Sequence, residues 1–428
     1  MSQFGKKENV LDRLNVGQIE NVLVFVSDSL RWDHTPKEVL EKGVVIKTVA
    51  SSLYTAPSFP SMVTGLYPPR HGVYTWEDRL PKQIGSLLRM EGYTTSLWCE
   101  TTWTDLPPDD SQIHSVLGNP AGISLEEIEP PFIYVEDDKG GHCPYGLPFG
   151  EHGVGGCPEF FKEYGMRGRK ELAEQYERGI QQSVERFEHR LLTLEKRGLT
   201  DTTLILFTSD HGELLGEYGG LTGHGRPPCP ELVYVPTIFV HPSLPPSTVA
   251  GGVARHVDLY PTILGMLGVD ASHSCDGLNL LAAEELPRVG LNFRRGGYTQ
   301  SRGKLKRMFM YGACSIWDEH GGHVFHDLSA TRGRALFLFK IFVQKHSEFS
   351  FMIENSKKGR TRGMASRRFL ALKHLTEPYQ QYLKPRISKK EAQKAIDEYV
   401  ANLEEVPSLS YESDEETRRR LEALGYVD

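Results

Sequence analysis

Several carboxylate, hydroxyl and imidazole groups in this 428-residue chain stand where short apolar runs break off. Asp28 closes VFVSD directly after a β-type run, so its carboxylate is expected at the carboxyl edge of a sheet. An oxygen ligand for a hard or borderline cation belongs there, although an Asp in that place also serves as a helix N-cap. Thr55 opens TAPSFPSMVTG, where Pro57 and Pro60 suit the entry of a short helix and Gly65 its end. The positive end of a helix dipole and its free N–H groups favour an alkoxide or an anionic ester. A hydroxyl is nevertheless a poor nucleophile at neutral pH until a base or a metal lowers its pKa, and taken alone Thr55 is also a plain N-cap. LILFTSDHGE provides a partner, because Asp210 and His211 leave one strand end together and can converge on an ion. The alternative for that pair is a capping Asp beside a surface His.

Two further stretches bear on a second ion. In YVEDDKGGHCPYG, Asp138 and His142 are four residues apart beyond an expected strand, and the intervening glycines permit a tight loop that turns both inward. His224 sits between glycines in LTGHGR. One carboxylate and two imidazoles make a catalytic zinc or manganese set with an open position. Without Asp138, His142 and His224 would instead be donors to ester oxygens or to a leaving group.

The elements that must position these groups alternate. Apolar runs at Asn21–Ser27, Thr94–Cys99, Pro131–Val135, Thr203–Ser209 and Thr237–Val240 are separated by helical patterns, which predicts an α/β fold with a large, mostly parallel central sheet. The clearest helix repeats Leu172, Tyr176, Ile180, Val184, Phe187, Leu191 and Leu194 and stops at Gly198. From Arg288 the pieces shorten (Arg288–Phe293, Lys306–Tyr311, Gly322–His326). The expected division is a catalytic domain over residues 1–287 and a smaller C-terminal subdomain with terminal helices over 288–428. The basic run Lys357–Arg368 reads as a solvated loop.

A composition of 39% hydrophobic and 25% charged residues suits a globular protein, and a net charge of −7 argues against nucleic acid as a partner. The first twenty residues hold no signal-peptide run, no segment approaches ~20 apolar residues, and the six cysteines lack a CxxC pair. The chain therefore reads as cytoplasmic, without a disulfide framework or a transmembrane segment.

Several ordered motifs together resemble the alkaline phosphatase superfamily, most closely its sulfatase-like branch. They are NVLVFVSDSLRWD, TAPSFPSMVTGLYPPRHG, HCPY, TLILFTSDHGE, GHGRPPCPELVYVP, HVDLYPTIL and the tail ETRRRLEALGYVD. The resemblance implies an α/β sandwich with a smaller C-terminal subdomain, and it puts Thr55 at the nucleophile position. True sulfatases carry there a Cys or Ser oxidised to formylglycine, with an Arg after the Pro-Ser pair; this chain has Thr55 and then Phe59. Oxidation of threonine would yield a ketone, not that aldehyde. A directly acting Thr is similar to the nucleotide pyrophosphatase/phosphodiesterases and the phosphoglycerol and phosphoethanolamine transferases, in which Asp138, His142 and His224 would match a second-ion pattern. The chain departs from many sulfatases at Ser27, where a second Asp would adjoin Asp28. His256 and Asp258 match an element usually read as structural, and Arg31 and Asp33 would support the metal ligands.

The expectation is a metal-dependent ester hydrolase or transferase using one or two divalent ions, Zn or Mn in preference to Ca or Mg. Asp28, Asp210 and His211 would activate Thr55 on a phosphoester or phosphodiester of a small-molecule, lipid- or sugar-linked substrate. A sulfuric ester hydrolase without formylglycine is the alternative, and a non-catalytic binding protein on the same fold is a third.

Overall fold

The computed structural model describes residues 19–99, 112–118, 122–147, 160–161, 168–224, 227–283, 286–296, 311–327, 331, 335, 370, 373–375 and 377–405. Most of residues 98–110 and 144–159, the run 357–368, residues 306–310 and the tail motif lie outside the described residues.

The central sheet is built from β1 (Asn21–Ser27), β2 (Val44–Val49), β3 (Thr94–Cys99), β4 (Phe132–Asp138) and β5 (Thr203–Thr208). A small hairpin of β6 (Leu214–Gly216) and β7 (Leu221–Gly223) intervenes before β8 (Tyr234–Val240), β9 (Thr248–Val249) and β10 (Ala254–Arg255). The strand order is β10-β2-β8-β5-β1-β4-β3, with β9 beside β2. β1 pairs in parallel with β4 and β5, and β3 with β4, whereas β8 runs antiparallel to both β2 and β5. A central parallel strand is buried on both faces, which explains why NVLVFVS is apolar almost throughout.

Alternate residues of these strands sort onto two helical layers. Val22, Val24, Val26, Ile133 and Val135 pack with Phe59, Met62 and Val63 of α1 (Thr55–Thr64). Leu23, Phe25, Tyr134 and Phe207 pack with Tyr176, Ile180, Val184 and Phe187 of α2 (Arg169–Lys196), the helix expected from its apolar spacing. Helix α3 (His256–Leu267) joins α1 on the first layer through Leu259 and Ile263. The fold expected from the alternation of elements is the one observed.

A separate antiparallel sheet follows, β11 (Gly290–Gly296), β12 (Tyr311–Asp318), β13 (Gly321–His326) and β14 (Tyr379–Leu383) in sequential order. Ala392 and Ile396 of α4 (Lys389–Glu405) bury against Ile316 of β12. No helix among the described residues is long and apolar enough to cross a membrane. One boundary differs with consequences for the site: β4 continues through Glu136 and Asp137 to Asp138 instead of stopping at Val135. Arg190 pairs with Glu136 and Arg186 with Asp138, so these buried acids stay within the strand.

Candidate active site

β1 and β5 are neighbours with Val26 opposite Thr208, so the two chains leave the same sheet edge together and bring Asp28 beside Asp210 and His211. The turn after Asp28 is held by Ser29, at φ 64°, whose N–H donates to Asp210 Oδ1 (3.1 Å) and whose hydroxyl donates to Asp28 Oδ1 (2.8 Å). Thr55 is the first residue of α1, and its hydroxyl donates to Asp28 Oδ2 at 3.4 Å. Gly65, at φ 71°, ends that helix as expected.

Ligand atoms of Asp28, Asp210 and His211 lie within 4.8 Å of one another, all three residues being buried. The chemistry of these atoms fits a cation. His211 Nδ1 lies 2.8 Å from the Gly212 carbonyl oxygen, which only accepts, so Nδ1 carries the proton and Nε2 presents a lone pair. That Nε2 stands 3.4 Å from Asp210 Oδ2 and 3.7 Å from Asp28 Oδ1. Asp210 Oδ2 and His211 Nε2 are both buried without a hydrogen-bond partner. Acceptors converging with no donor between them are the signature of a metal position. Burial holds His211 down to about 3, with His224 adding to the effect, so its imidazole is neutral at pH 7. Burial and then the charge of Asp28 push Asp210 up to about 7. Burial would raise Asp28 as well, but Lys139 and the neighbouring imidazoles hold it well below the usual carboxylate range.

His142 and His224 close the other side. The His224 ring centroid lies 4.6 Å from that of His211 and 4.7 Å from that of His142. His142 Nδ1 donates to the Cys143 carbonyl (2.6 Å), and His224 Nδ1 to Glu213 Oε2 (3.0 Å). The loop before His142 lies against the end of β1: a Cβ on Gly141 would come within 2.2 Å of the Asp28 carbonyl oxygen, so only glycine fits.

The sulfatase family model matches residues 152–269. Over 411 residues, 95% of this chain and 96% of the relative, the sequence is 34% identical to the low-salt glycan biosynthesis sulfotransferase Agl7 of Haloferax volcanii. The chain belongs to the sulfatase family. A shorter match, 38% identical over 88 residues (21% of the chain and 8% of the relative), is to the extracellular sulfatase SULF-1 homolog of Drosophila melanogaster. Among solved structures, a 2-O GAG sulfatase aligns with TM-score 0.55 at 15% identity, covering 79% of this chain and 93% of its own. The phosphonate monoester hydrolase of Agrobacterium radiobacter aligns at 0.53 and 16%, covering 83% and 97%. Both likenesses are of fold.

In this sulfatase-family enzyme the expected second set, Asp138 with His142 and His224, is not assembled. Successive strand residues face opposite ways, and Asp138 turns to the α2 layer. There it forms a salt bridge to Arg186 Nε, accepts from Arg186 Nη2 (3.1 Å) and from the Gly140 N–H (3.0 Å), and is fully buried. Its register partner Ser27 faces the same way and bonds to Ser183, so the side chain next to Asp28 that reaches the cluster is Ser29, not Ser27.

Two residues around the end of β4 escaped the sequence reasoning. Asp137, one residue earlier in β4, faces the cluster, and Lys139 Nζ bridges its Oδ2 (2.6 Å) to Asp28 Oδ2 (3.1 Å). Burial raises Asp137 to about 7 against the pull of Lys139. The signal was the strand's own alternation, hidden because the strand was taken to end at Val135.

The flanking residues brace the scaffold. Asp258 caps α3, accepting from the Arg255 N–H (2.8 Å). His256 bridges the Ser209 carbonyl (2.9 Å) and the Ser51 N–H (3.3 Å), bracing the β5 end. Arg31 forks onto Asp33 (2.9 and 2.7 Å) and reaches Glu217 (3.0 Å). Arg70 pairs with Asp276, and His71 lies 3.1 Å from the Ser61 hydroxyl.

Proposed function

We propose that this enzyme moves a sulfo group from a sulfate ester to the hydroxyl of an acceptor, a glycan or water, by way of a covalent ester on Thr55 that a single divalent ion promotes. The observation that carries the mechanism is the meeting of ligand atoms from Asp28, Asp210 and His211, with Asp210 Oδ2 and His211 Nε2 lacking any donor, beside a hydroxyl on the first turn of a helix. The near full-length likeness to a glycan sulfotransferase favours the sulfo group and the sugar acceptor.

A divalent ion at Asp28, Asp210 and His211 would lower the hydroxyl pKa and offset the charge of the ester oxygens. The protein's own groups do the rest. The N-terminal N–H groups of α1 face the anionic ester. The Thr55 oxygen bonds to sulfur as the bond to the departing oxygen breaks; its proton passes to the neighbouring Asp210, the carboxyl of the cluster that burial raises. An imidazole of the His142 and His224 pair protonates the departing oxygen and later takes the proton of the acceptor hydroxyl, while Thr55 recovers its own. Lys139, tied to Asp137 and Asp28, adds positive charge beside the cluster.

Phosphoryl transfer is the second reading, favoured by Thr55 itself: an unoxidised secondary hydroxyl suits a phosphothreonine intermediate, whereas a threonine sulfate lacks the aldehyde route that expels sulfate from formylglycine. Nitrophenyl sulfate, nitrophenyl phosphate and bis-nitrophenyl phosphate, assayed side by side with and without a sugar acceptor, separate the two. Thr55→Ala is expected to abolish turnover of the preferred ester while retaining the metal, and Thr55→Ser to keep part of it. Wild-type turnover by Thr55→Ala would sink the covalent route.

A further inference from the structure

Glu213 is a charged side chain without solvent exposure, and neither the metal position nor the nucleophile explains it. It directly precedes β6 and is held on every side. Oε1 accepts from the Tyr145 hydroxyl at 2.8 Å, Oε2 accepts from His224 Nδ1 at 3.0 Å, and its backbone carbonyl accepts from Arg31 Nη1 at 3.3 Å. Tyr145 is itself buried, edge-on to Phe160 and Tyr176, and its carbonyl accepts from Gln175 Nε2 at 2.9 Å. The carboxylate is thus fixed before any substrate arrives.

A carboxylate can only accept, so the proton between the two residues is on His224 Nδ1, and Nε2 is left on the far side of the ring from Glu213. The ring lies between those of His211 and His142. His142 is held differently: its Nδ1 donates to a neutral backbone carbonyl, that of Cys143. An imidazole that must carry a proton to a departing oxygen is better supported by a buried carboxylate than by a carbonyl, because the carboxylate offsets the imidazolium charge. The sequence hides this pairing, since Glu213 and His224 are separated by the β6–β7 hairpin that folds one back onto the other.

We propose that Glu213, steadied by Tyr145, is a positioning residue that fixes His224 with Nε2 toward the departing oxygen, making His224 rather than His142 the proton donor to the leaving group. This rests on the reading that an ester is broken beside Thr55. In the first half-reaction the bond from the acid centre to the departing oxygen breaks while the proton on His224 Nε2 moves to that oxygen. In the second half the acceptor hydroxyl returns a proton to Nε2. Glu213 exchanges no atom.

The test is a series of aryl and alkyl esters of falling leaving-group acidity, turned over by metal-loaded wild type, Glu213→Gln, Glu213→Asp and Tyr145→Phe. A nitrophenolate departs without help, whereas an alkoxide needs the proton. Glu213→Gln is expected to lose less than ~5-fold on the nitrophenyl ester and ~100-fold or more on the alkyl ester, at similar KM. Glu213→Asp should recover part of the alkyl rate and Tyr145→Phe should steepen the series mildly. An equal loss along the whole series, or an unchanged slope, would overturn the proposal. If Glu213→Gln fails to fold, His224→Asn gives the same steepening, and adding Tyr145→Phe to it should steepen the series no further; an additive effect would count against the pairing. Thr55→Ala on the nitrophenyl ester reads the covalent route separately, so the failure of one idea is visible apart from the other.

Discussion

Replacing Arg186 with Met asks whether Asp138 supports the fold or holds an ion. In the native protein Asp138 is fully buried, with both oxygens on Arg186 and one also on the Gly140 N–H. Removing Arg186 leaves a buried carboxylate with a single amide donor, a change that costs about 3–5 kcal/mol. The Arg186 side chain is 27% exposed, so its site takes in water readily and the lower figure, about 3 kcal/mol, applies. In a chain of this size ~2 °C of melting temperature accompanies each kcal/mol, giving a fall of about 6 °C by calorimetry. Arg186→Met combined with Asp138→Asn removes the stranded charge and should regain most of that loss. Metal content per chain, measured by elemental analysis, should be the same in all variants. A stable Arg186→Met protein, or loss of a metal equivalent on Asp138→Asn, would refute the structural role and restore the second ion.

Three other outcomes are expected. Asp210→Asn removes the charge from one of the converging acceptors, and should weaken divalent-ion affinity by ~100-fold or more in a calorimetric titration; the melting-temperature rise that the wild type shows on adding metal should shrink with it. Lys139→Met leaves Asp28 and Asp137 without their shared cation, so the metal-free protein should lose about 3 kcal/mol in urea unfolding, with much of it returned by a divalent ion; a loss that metal leaves untouched would argue that Lys139 lies away from the ion. Burial holds His71 and His256 down to about 3, below the ordinary 6.5. The unfolded chain therefore binds more protons below pH 6.5, and their contribution, complete above that value, is lost by about 1.4 kcal/mol per pH unit for each residue as the pH falls toward 3. His71→Gln should flatten that slope in unfolding curves taken from pH 7 to 4, and an unchanged slope would show that His71 is not the source.

The alternation of apolar runs and the Gly198 stop made the central sheet and α2 legible, because a strand buried on two faces and a helix buried on one leave unmistakable spacings in the chain. Asp28, Thr55, Asp210 and His211 were legible for the same reason, since each stands at the end or start of such an element. What stayed hidden depended on side-chain direction. With the strand ended at Val135, Glu136, Asp137 and Asp138 fall in a loop, and nothing local reveals that Arg186 and Arg190, 48 and 54 residues further along the chain from Asp138 and Glu136, neutralise those two inside the sheet. Which of Asp137 and Asp138 faces the cluster follows from strand parity, which a loop at that place does not have. Glu213 was hidden by the hairpin that returns His224 to it, a contact no spacing rule anticipates.

The two arginines of α2 also act as a gauge. Arg186 and Arg190 are separated by about 6 Å along a helix axis, and their partners Asp138 and Glu136 by about 6.6 Å along a strand, so the two pitches match when helix and strand run in opposite directions. Sliding α2 along β4 by one helical turn would break that match and leave a buried acid without its counter-charge. The height of α2 on the sheet is thereby indexed, and Tyr176, whose hydroxyl donates to the Ser29 carbonyl at 2.7 Å, transmits that index to the turn carrying Asp28.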